Sequence, residues 1–253
     1  GVVAAETLIK RGHSVDLYEK GEIGGNLVPG SKAQIKYEVK NYLDYLKKTV
    51  ENLKKNENFE FIKATAIAEN LKAKSYDAIL VATGTVQSKP KVEGIDSDNV
   101  VFATDVLNNP KLVKDAQNIV VIGGGVVGAE TAYFLKYELD KDVKVVEMGK
   151  YIMNGACTAN RGHIIHYLEE AGVELLNCTK LVSIDGHRVN VLQNTHKNVP
   201  DPYVTWHPIL PENVENPLDI LTKIGEDYKE RTLFSDMVVL ATGVVPSPML
   251  YYD

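Results

Sequence analysis

Asn118–Lys150 reads NIVVIGGGVVGAETAYFLKYELDKDVKVVEMGK, and this stretch decides the fold. Ile119 to Ile122 is an unbroken apolar run, as expected of a strand at the centre of a parallel sheet. Gly123, Gly125 and Gly128 follow in G-x-G-x-x-G spacing, and a helix is predicted over Val126 to Leu139. Val143 to Glu147 then reads as a second strand, ending in an acid 19 positions after Gly128. Each residue type has a physical reason. Gly123 permits the tight turn, Gly125 lets the backbone approach a pyrophosphate, and Gly128 brings helix close to strand. With Gly124, Val126 and Val127, they place unpaired N–H groups of a helix start before the phosphates. Glu147 can accept hydrogen bonds from both ribose hydroxyls and would repel a 2′-phosphate, which favours NAD(H) over NADP(H).

Outward from this core, residues 159–172 read as a helix with a glycine stop, then 173–177 as a strand. LVSID and HRVNVLQ form a predicted hairpin around Asp185-Gly186. A polar, proline-rich excursion runs over about 194–230, and DMVVLATG closes the unit as a buried strand with a small-residue turn, Ala241 to Gly243. Upstream, the chain echoes this plan. GVVAAETLIKRG is an apolar-faced helix closed by Gly12, and Ser14 to Glu19 is a strand ending in an acid. Gly1 and Glu19, 18 apart, match the end of the same fingerprint, and Gly24-Gly25-Asn26 offers a second backbone approach to a dinucleotide. Ile35, Val39, Tyr42, Leu43, Leu46, Val50 and Leu53 form the apolar stripe of a long helix. FEFIKATAI reads as strand, and YDAILVATG as a buried strand ending in a turn. The polar stretch from Asn108 to Gln117 marks a domain boundary.

These patterns predict an α/β fold of two Rossmann-like dinucleotide-binding domains, the first incomplete and interrupted by the second. The expected division is a partial first dinucleotide-binding domain at 1–112, an NAD(H)-binding domain at 113–245 and a return to the first from 246. A net charge of −6, from 28 basic and 34 acidic residues, argues against nucleic acid as the main partner. No apolar run reaches the ~18–20 residues of a membrane span. Cys157 and Cys178 lie far apart and form no C-x-x-C, which fits a reducing, cytoplasmic setting and offers no zinc site or redox disulfide. His163 and His166 have metal-compatible helical spacing, but a solvated helix face explains them better; no metal site is expected. Trp206 and Tyr203, in the excursion, pack either on another domain or locally.

The Glu-ended strand followed by Gly-Gly, and the paired ATG turns, resemble the two-dinucleotide-binding-domain flavoproteins. In these, a first unit holds FAD and an inserted second unit a nicotinamide nucleotide. More narrowly, RGHSVDLYEK, IGGNL, KYEVKNYLDYLKK, YDAILVATG, NVVFATDVL and IVVIGGGVVGAETAYFL resemble the C-terminal half of the 2-enoate reductase and 2,4-dienoyl-CoA reductase group. That group is related to trimethylamine dehydrogenase and Old Yellow Enzyme. The resemblance implies a relay from NADH to FAD, then through a 4Fe-4S cluster to FMN, which reduces an activated carbon–carbon double bond. FMN and the cluster would sit in an N-terminal barrel domain of the same parent chain. The resemblance places Glu19 and Lys20 at the FAD adenosine ribose, and Gly24, Gly25, Asn26 and Leu27 along its pyrophosphate and ribityl chain. Ala82, Thr83 and Gly84 would pack on the same cofactor. Gly123, Gly125, Gly128, Glu147 with its neighbour Met148, and Ala241, Thr242 and Gly243 would hold NADH. Glu130 would face the nicotinamide side.

The chemistry implied is hydride transfer between stacked rings, which needs no protein acid or base, and no catalytic dyad is expected. Two rival readings stand beside it: a stand-alone NADH:acceptor flavin reductase, and a non-catalytic nucleotide-binding module. A homo-oligomer is compatible with all three. The strand and glycines that should precede Gly1, the Gly-Asp segment after the second ATG turn, and the barrel are not in the sequence. The expectation is a segment of a longer protein, whose first unit is unstable or free of cofactor unless something else fills the gap.

Overall fold

The computed structural model describes residues 1–206, 223–247 and 249–252. The chain divides into two units: Gly1–Val86 with Val244–Asp253, and Gln87–Gly243.

In the first unit, helix Val2–Lys10 stops at Gly12, which has φ +86° and returns its N–H to the Ile9 carbonyl. Strands β1 (Val15–Tyr18) and β2 (Phe59–Ile62) pair in parallel, Val15 opposite Phe59 and Tyr18 opposite Ile62. Helix Tyr37–Leu53 crosses between them and buries Leu43, Leu46, Val50 and Leu53. Its Tyr42, counted in the expected stripe, lies outside and stacks on Tyr45. Ala5, Leu53 and Phe59 form a small core with Ile9, Val15, Leu17 and Phe61 against it.

Two expectations are corrected here. YDAILVATG is not a buried strand: it joins no sheet, and Ile79, Leu80 and Val81 are 52 %, 62 % and 37 % exposed. A parallel strand is buried only by neighbours, and among the described residues β1 and β2 pair only with each other. The chain then forms β3 (Thr85–Gln87), which pairs with β12 (Val244–Pro246) in a two-stranded ribbon. The second correction is the boundary, which falls between Val86 and Gln87 rather than at 112. Residues 93–108 belong to the second unit because β4 (Val100–Phe102) joins its sheet. Glu93 also accepts the Ile184 N–H at 2.9 Å, and a Cβ on Gly94 would lie 1.8 Å from the Ile184 carbonyl oxygen.

The second unit has a five-stranded sheet of β4, β5 (Asn118–Ile122), β6 (Asp142–Val146), β7 (Glu174–Leu176) and β11 (Met237–Leu240). Its order is β4-β11-β5-β6-β7, and every pairing is parallel. The alternation of strand side chains turns Val120, Ile122, Val146, Leu176, Val238 and Leu240 to one face. There they pack on Leu181, Ile184, Val189, Val191 and Leu233 of a second, antiparallel sheet. That sheet consists of β8 (Thr179–Asp185), β9 (Arg188–Asn194) and β10 (Tyr228–Phe234). The predicted hairpin is present around Gly186, while β10 lies at the end of what reads in sequence as excursion. Its residues Tyr228–Phe234 are mostly charged or exposed, so they show no strand alternation.

Helices Val126–Tyr133 and Thr158–Glu170 pack beside each other in this unit. The first passes into a π-helical turn over Phe134–Glu138. Residues 207–222 of the excursion lie outside the described residues.

Candidate functional site

The sheet order places β5 between its immediate successor β6 and the much later β11. A reversal of this kind opens a crevice at the carboxyl ends of the strands. The glycine turn stands there. Gly123, at φ +103°, donates its N–H to the Val146 carbonyl, and a Cβ on it would lie 2.4 Å from the Ala241 carbonyl oxygen. Gly128 is closer still: its Cβ would meet the Gly123 carbonyl oxygen at 1.8 Å. Gly125 differs, because a Cβ there would meet nothing within 4 Å. Two glycines are thus required by packing, and one leaves an open approach at the start of helix Val126–Tyr133. Val126 and Val127 are exposed at that helix start. The first N–H groups of any helix lack intrahelical partners, so this terminus suits a phosphate.

Glu147 is held at the end of β6. Its Oε2 accepts the Gly124 N–H and its Oε1 the Gly149 N–H, both at 2.6 Å. A carboxylate has about four lone-pair sites, so one on each oxygen remains for a ribose diol. The acid is therefore fixed to the turn itself before any ligand arrives. Met148, beside it, is 75 % exposed and borders a cleft of ≈ 440 Å³ lined also by Cys178, Lys180, Leu192, Asn194 and Tyr228. On the other flank, the Ala241–Gly243 turn is tied down by the Thr242 hydroxyl on the Ser88 carbonyl at 2.6 Å. The Ser88 N–H in turn reaches the Gly243 carbonyl at 3.0 Å. Glu130 is half-buried in the second turn of the helix.

Sequence reasoning missed what backs this turn. The Met153 N–H donates to the Gly124 carbonyl at 2.7 Å, with Met153 at φ +53°, and a Cβ on Gly124 would crowd Ile152 Cδ1 at 2.9 Å. A main-chain bond of this kind leaves no signature in residue type.

The residues expected at the first cofactor meet in part within their own unit. Glu19 Oε1 accepts the Gly21 N–H at 2.6 Å, and Lys20 is exposed. A Cβ on Gly1 would just touch Leu17. A Cβ on Gly24, at φ +115°, would lie 2.2 Å from Leu43, whereas Gly25 at φ +52° faces open space. Asn26 donates to Thr85 Oγ1 at 2.9 Å, which joins the Gly24–Leu27 loop to the end of the Ala82-Thr83-Gly84 turn. The Thr83 hydroxyl donates to the Ser247 carbonyl at 2.6 Å. One tight and one open glycine repeat the pattern of the second unit. Among the described residues no hydrogen bond ties Glu19 to the Ala82–Gly84 turn.

The weaker candidates resolve simply. His163 and His166 are exposed and lie against Tyr167, His163 with ring centroids 4.6 Å apart. No group of three metal-ligating side chains occurs among the described residues. Cys157 is exposed and Cys178 half-buried, both as free thiols; burial pushes the Cys178 thiol up, against the pull of nearby Lys150. Tyr203 packs locally: its hydroxyl donates to the Val173 carbonyl at 2.8 Å and accepts the Leu175 N–H at 3.3 Å. Trp206 is 64 % exposed. Among the described residues no helix is long and apolar enough to cross a membrane.

A parallel sheet with a glycine turn, an acid at the next strand end and an open helix start defines a dinucleotide-binding protein of the doubly wound class. The chain belongs to the pyridine nucleotide-disulphide oxidoreductase family, which it matches over residues 1–253. It is similar to a cinnamate reductase of Clostridium sporogenes, 37 % identical over 177 residues, which covers 67 % of this chain and 25 % of the relative. A bilirubin reductase of Mediterraneibacter gnavus is 35 % identical over 190 residues, covering 75 % of this chain and 29 % of the relative. An NADH oxidase of Thermoanaerobacter brockii is 37 % identical over 151 residues, covering 58 % and 23 %. A solved 2-naphthoyl-CoA reductase shares the fold, with TM-score 0.75 and 23 % identity over 98 % of this chain and 32 % of that one. The chain thus spans about a quarter of the length of these three curated relatives. Membership of this family gives the chain FAD and NAD(H) as its cofactors.

Proposed function

We propose that this chain is the electron-input portion of a flavin-dependent ene-reductase. The second unit holds NADH, the first unit FAD, and the electrons pass on to an activated carbon–carbon double bond of 2-enoate or dienoyl-CoA type. The reducing site would lie in a barrel domain of the same parent protein, carrying FMN and a 4Fe-4S cluster. The observation that carries this reading is the glycine turn of the second unit, closed at Gly123 and Gly128 and open at Gly125, with Glu147 bonded to it. In the proposed roles, Gly124 to Gly128 bind the pyrophosphate, Glu147 the adenosine ribose, and Ala241 to Gly243 the nucleotide's other side. Glu130 orients the nicotinamide end. Glu19, Lys20, Gly24 to Leu27 and Ala82 to Gly84 form the FAD counterpart. FAD, when bound, takes the hydride from the nicotinamide; the protein supplies ring placement and exclusion of water. The alkene class is supported by the relatives named for reducing cinnamate, itself a 2-enoate, and bilirubin.

The relative named NADH oxidase favours a second reading, a stand-alone NADH:acceptor flavin reductase. An anaerobic absorbance titration of the chain with FAD, against NADH and then NADPH, tests both. Loss of the flavin band with NADH, and weakly with NADPH, is expected. Tight NADH binding with bound flavin left unbleached would overturn the relay in favour of a non-catalytic nucleotide module. Repeating it on the parent protein with an enoate as final acceptor separates the first reading from the second.

A further inference from the structure

Behind the glycine turn lies a charge that the expected machinery does not use. Arg161, on helix Thr158–Glu170, is 2 % exposed. Its Nε–H donates to the Ile152 carbonyl at 2.8 Å. Ile152 and Met153 lie against Gly124 beside Glu147, Ile152 through its side chain and Met153 through its N–H. Arg161 is therefore one hydrogen bond removed from the segment that sets the turn. Its other two nitrogens, Nη1 and Nη2, are buried and have no hydrogen-bond partner among the described residues. The Tyr151 ring lies 5.9 Å from the guanidinium carbon and gives only partial relief.

Burying an ionised group without a counter-charge costs several kcal/mol. One hydrogen bond to a neutral carbonyl does not offset that, and a hydrophobic residue would fill the same space at lower cost. A low-dielectric interior also transmits the charge over longer distances than water does. We propose that Arg161 is a positioning residue for the dinucleotide: it clamps Tyr151–Met153 against the back of the phosphate-binding turn, and its charge, which no described residue neutralises, favours a pyrophosphate ligand on that turn. The inference rests on the assignment of NADH to the second unit. Burial draws the guanidinium below the ordinary arginine range, with Tyr151 acting in the opposite direction.

The test is calorimetric binding of NADH, ADP-ribose and adenosine to the wild-type chain, R161M and R161K, with the melting temperature of each measured without nucleotide. R161M is expected to weaken NADH and ADP-ribose roughly tenfold while leaving adenosine within about twofold. R161K returns a cation without the planar fork and is expected to weaken NADH only about threefold. A fall in melting temperature alone, with NADH affinity unchanged, overturns the proposal. So does loss of adenosine in proportion to NADH, which marks general damage to the unit. R161K as weak as R161M overturns the role of the charge. Should R161M fail to fold, R161K is read by the same comparison of NADH with adenosine. A wild-type chain that binds no NADH overturns the assignment of the second unit as well, and so is told apart from failure of this inference alone.

Discussion

One methyl group added at Gly125 and at Gly128 separates two tasks of the same turn. At Gly128 the new Cβ meets a main-chain oxygen at 1.8 Å, which cannot yield without moving β5 from its helix. Gly128→Ala is expected to destabilise the unit by about 1–3 kcal/mol and to abolish NADH binding. Gly125 has φ −69°, which alanine adopts freely, and open space around it. Gly125→Ala is expected to cost about 1 kcal/mol or less, as the loss of a helix cap, yet to raise the NADH Kd roughly tenfold or more. Thermal melts beside binding titrations check both. Unchanged NADH affinity in Gly125→Ala would remove the pyrophosphate from this turn. Glu147 makes a third case, since both its oxygens already accept main-chain N–H groups. Glu147→Gln turns an amide donor toward one of those N–H groups, with an expected loss of about 1–3 kcal/mol even without nucleotide. It should also narrow the preference for NADH over NADPH, because the charge that repels a 2′-phosphate is gone. Sequence spacing picks out these residues but cannot say that Glu147 is bonded to the turn, since its partners are main-chain atoms.

At the scale of elements, one carboxylate ties together the amino ends of two neighbouring strands of the parallel sheet. Asp236, just before β11, accepts the N–H groups of Asn118 at 2.7 Å and Gln117 at 2.9 Å, at the start of β5. The Asn118 N–H, then that of Gln117, hold the Asp236 carboxyl below its ordinary value against a smaller effect of burial. A carboxyl lowered on folding stabilises the protein above its unfolded pKa, and that contribution is lost as pH falls through the folded value. The stability difference between wild type and Asp236→Asn should therefore be present at neutral pH and shrink from about pH 5 toward pH 3. Denaturant melts across that range check it; a constant difference would mean the charge is not what the N–H groups require. Strand β7 shows a different device. It is an edge strand, and the Tyr203 hydroxyl meets main-chain groups of Val173 and Leu175 there. Tyr203→Phe is expected to cost about 0.5–1.5 kcal/mol in the same assay. Strands with unbroken apolar runs, such as β5, and the helix with its three-and-four spacing are legible in sequence. Strand β10 is not, because its register is set by pairing with β9 rather than by its own side chains.

At the scale of the molecule, the whole glycine turn, Glu147, the Ala241–Gly243 turn and the apolar core between the two sheets lie within Gln87–Gly243. A protein consisting of residues 87–243 is therefore expected to melt cooperatively and to bind NADH. A gradual, non-cooperative melt would show that the unit depends on the rest of the chain. By itself the sequence determined the α/β class, the glycine turn and the acid after it. Those depend on local rules: strand and helix periodicity, glycine at fixed intervals, and a charge at a strand end. Tertiary structure alone decided where the units divide, since β4 is assigned by its pairing with β11 across more than a hundred residues. It also decided that Ile79 to Val81 are exposed, because burial of a strand is a property of its neighbours and not of its own residues. And it alone set Arg161 behind the turn, through a loop whose sequence carries no sign of what it supports.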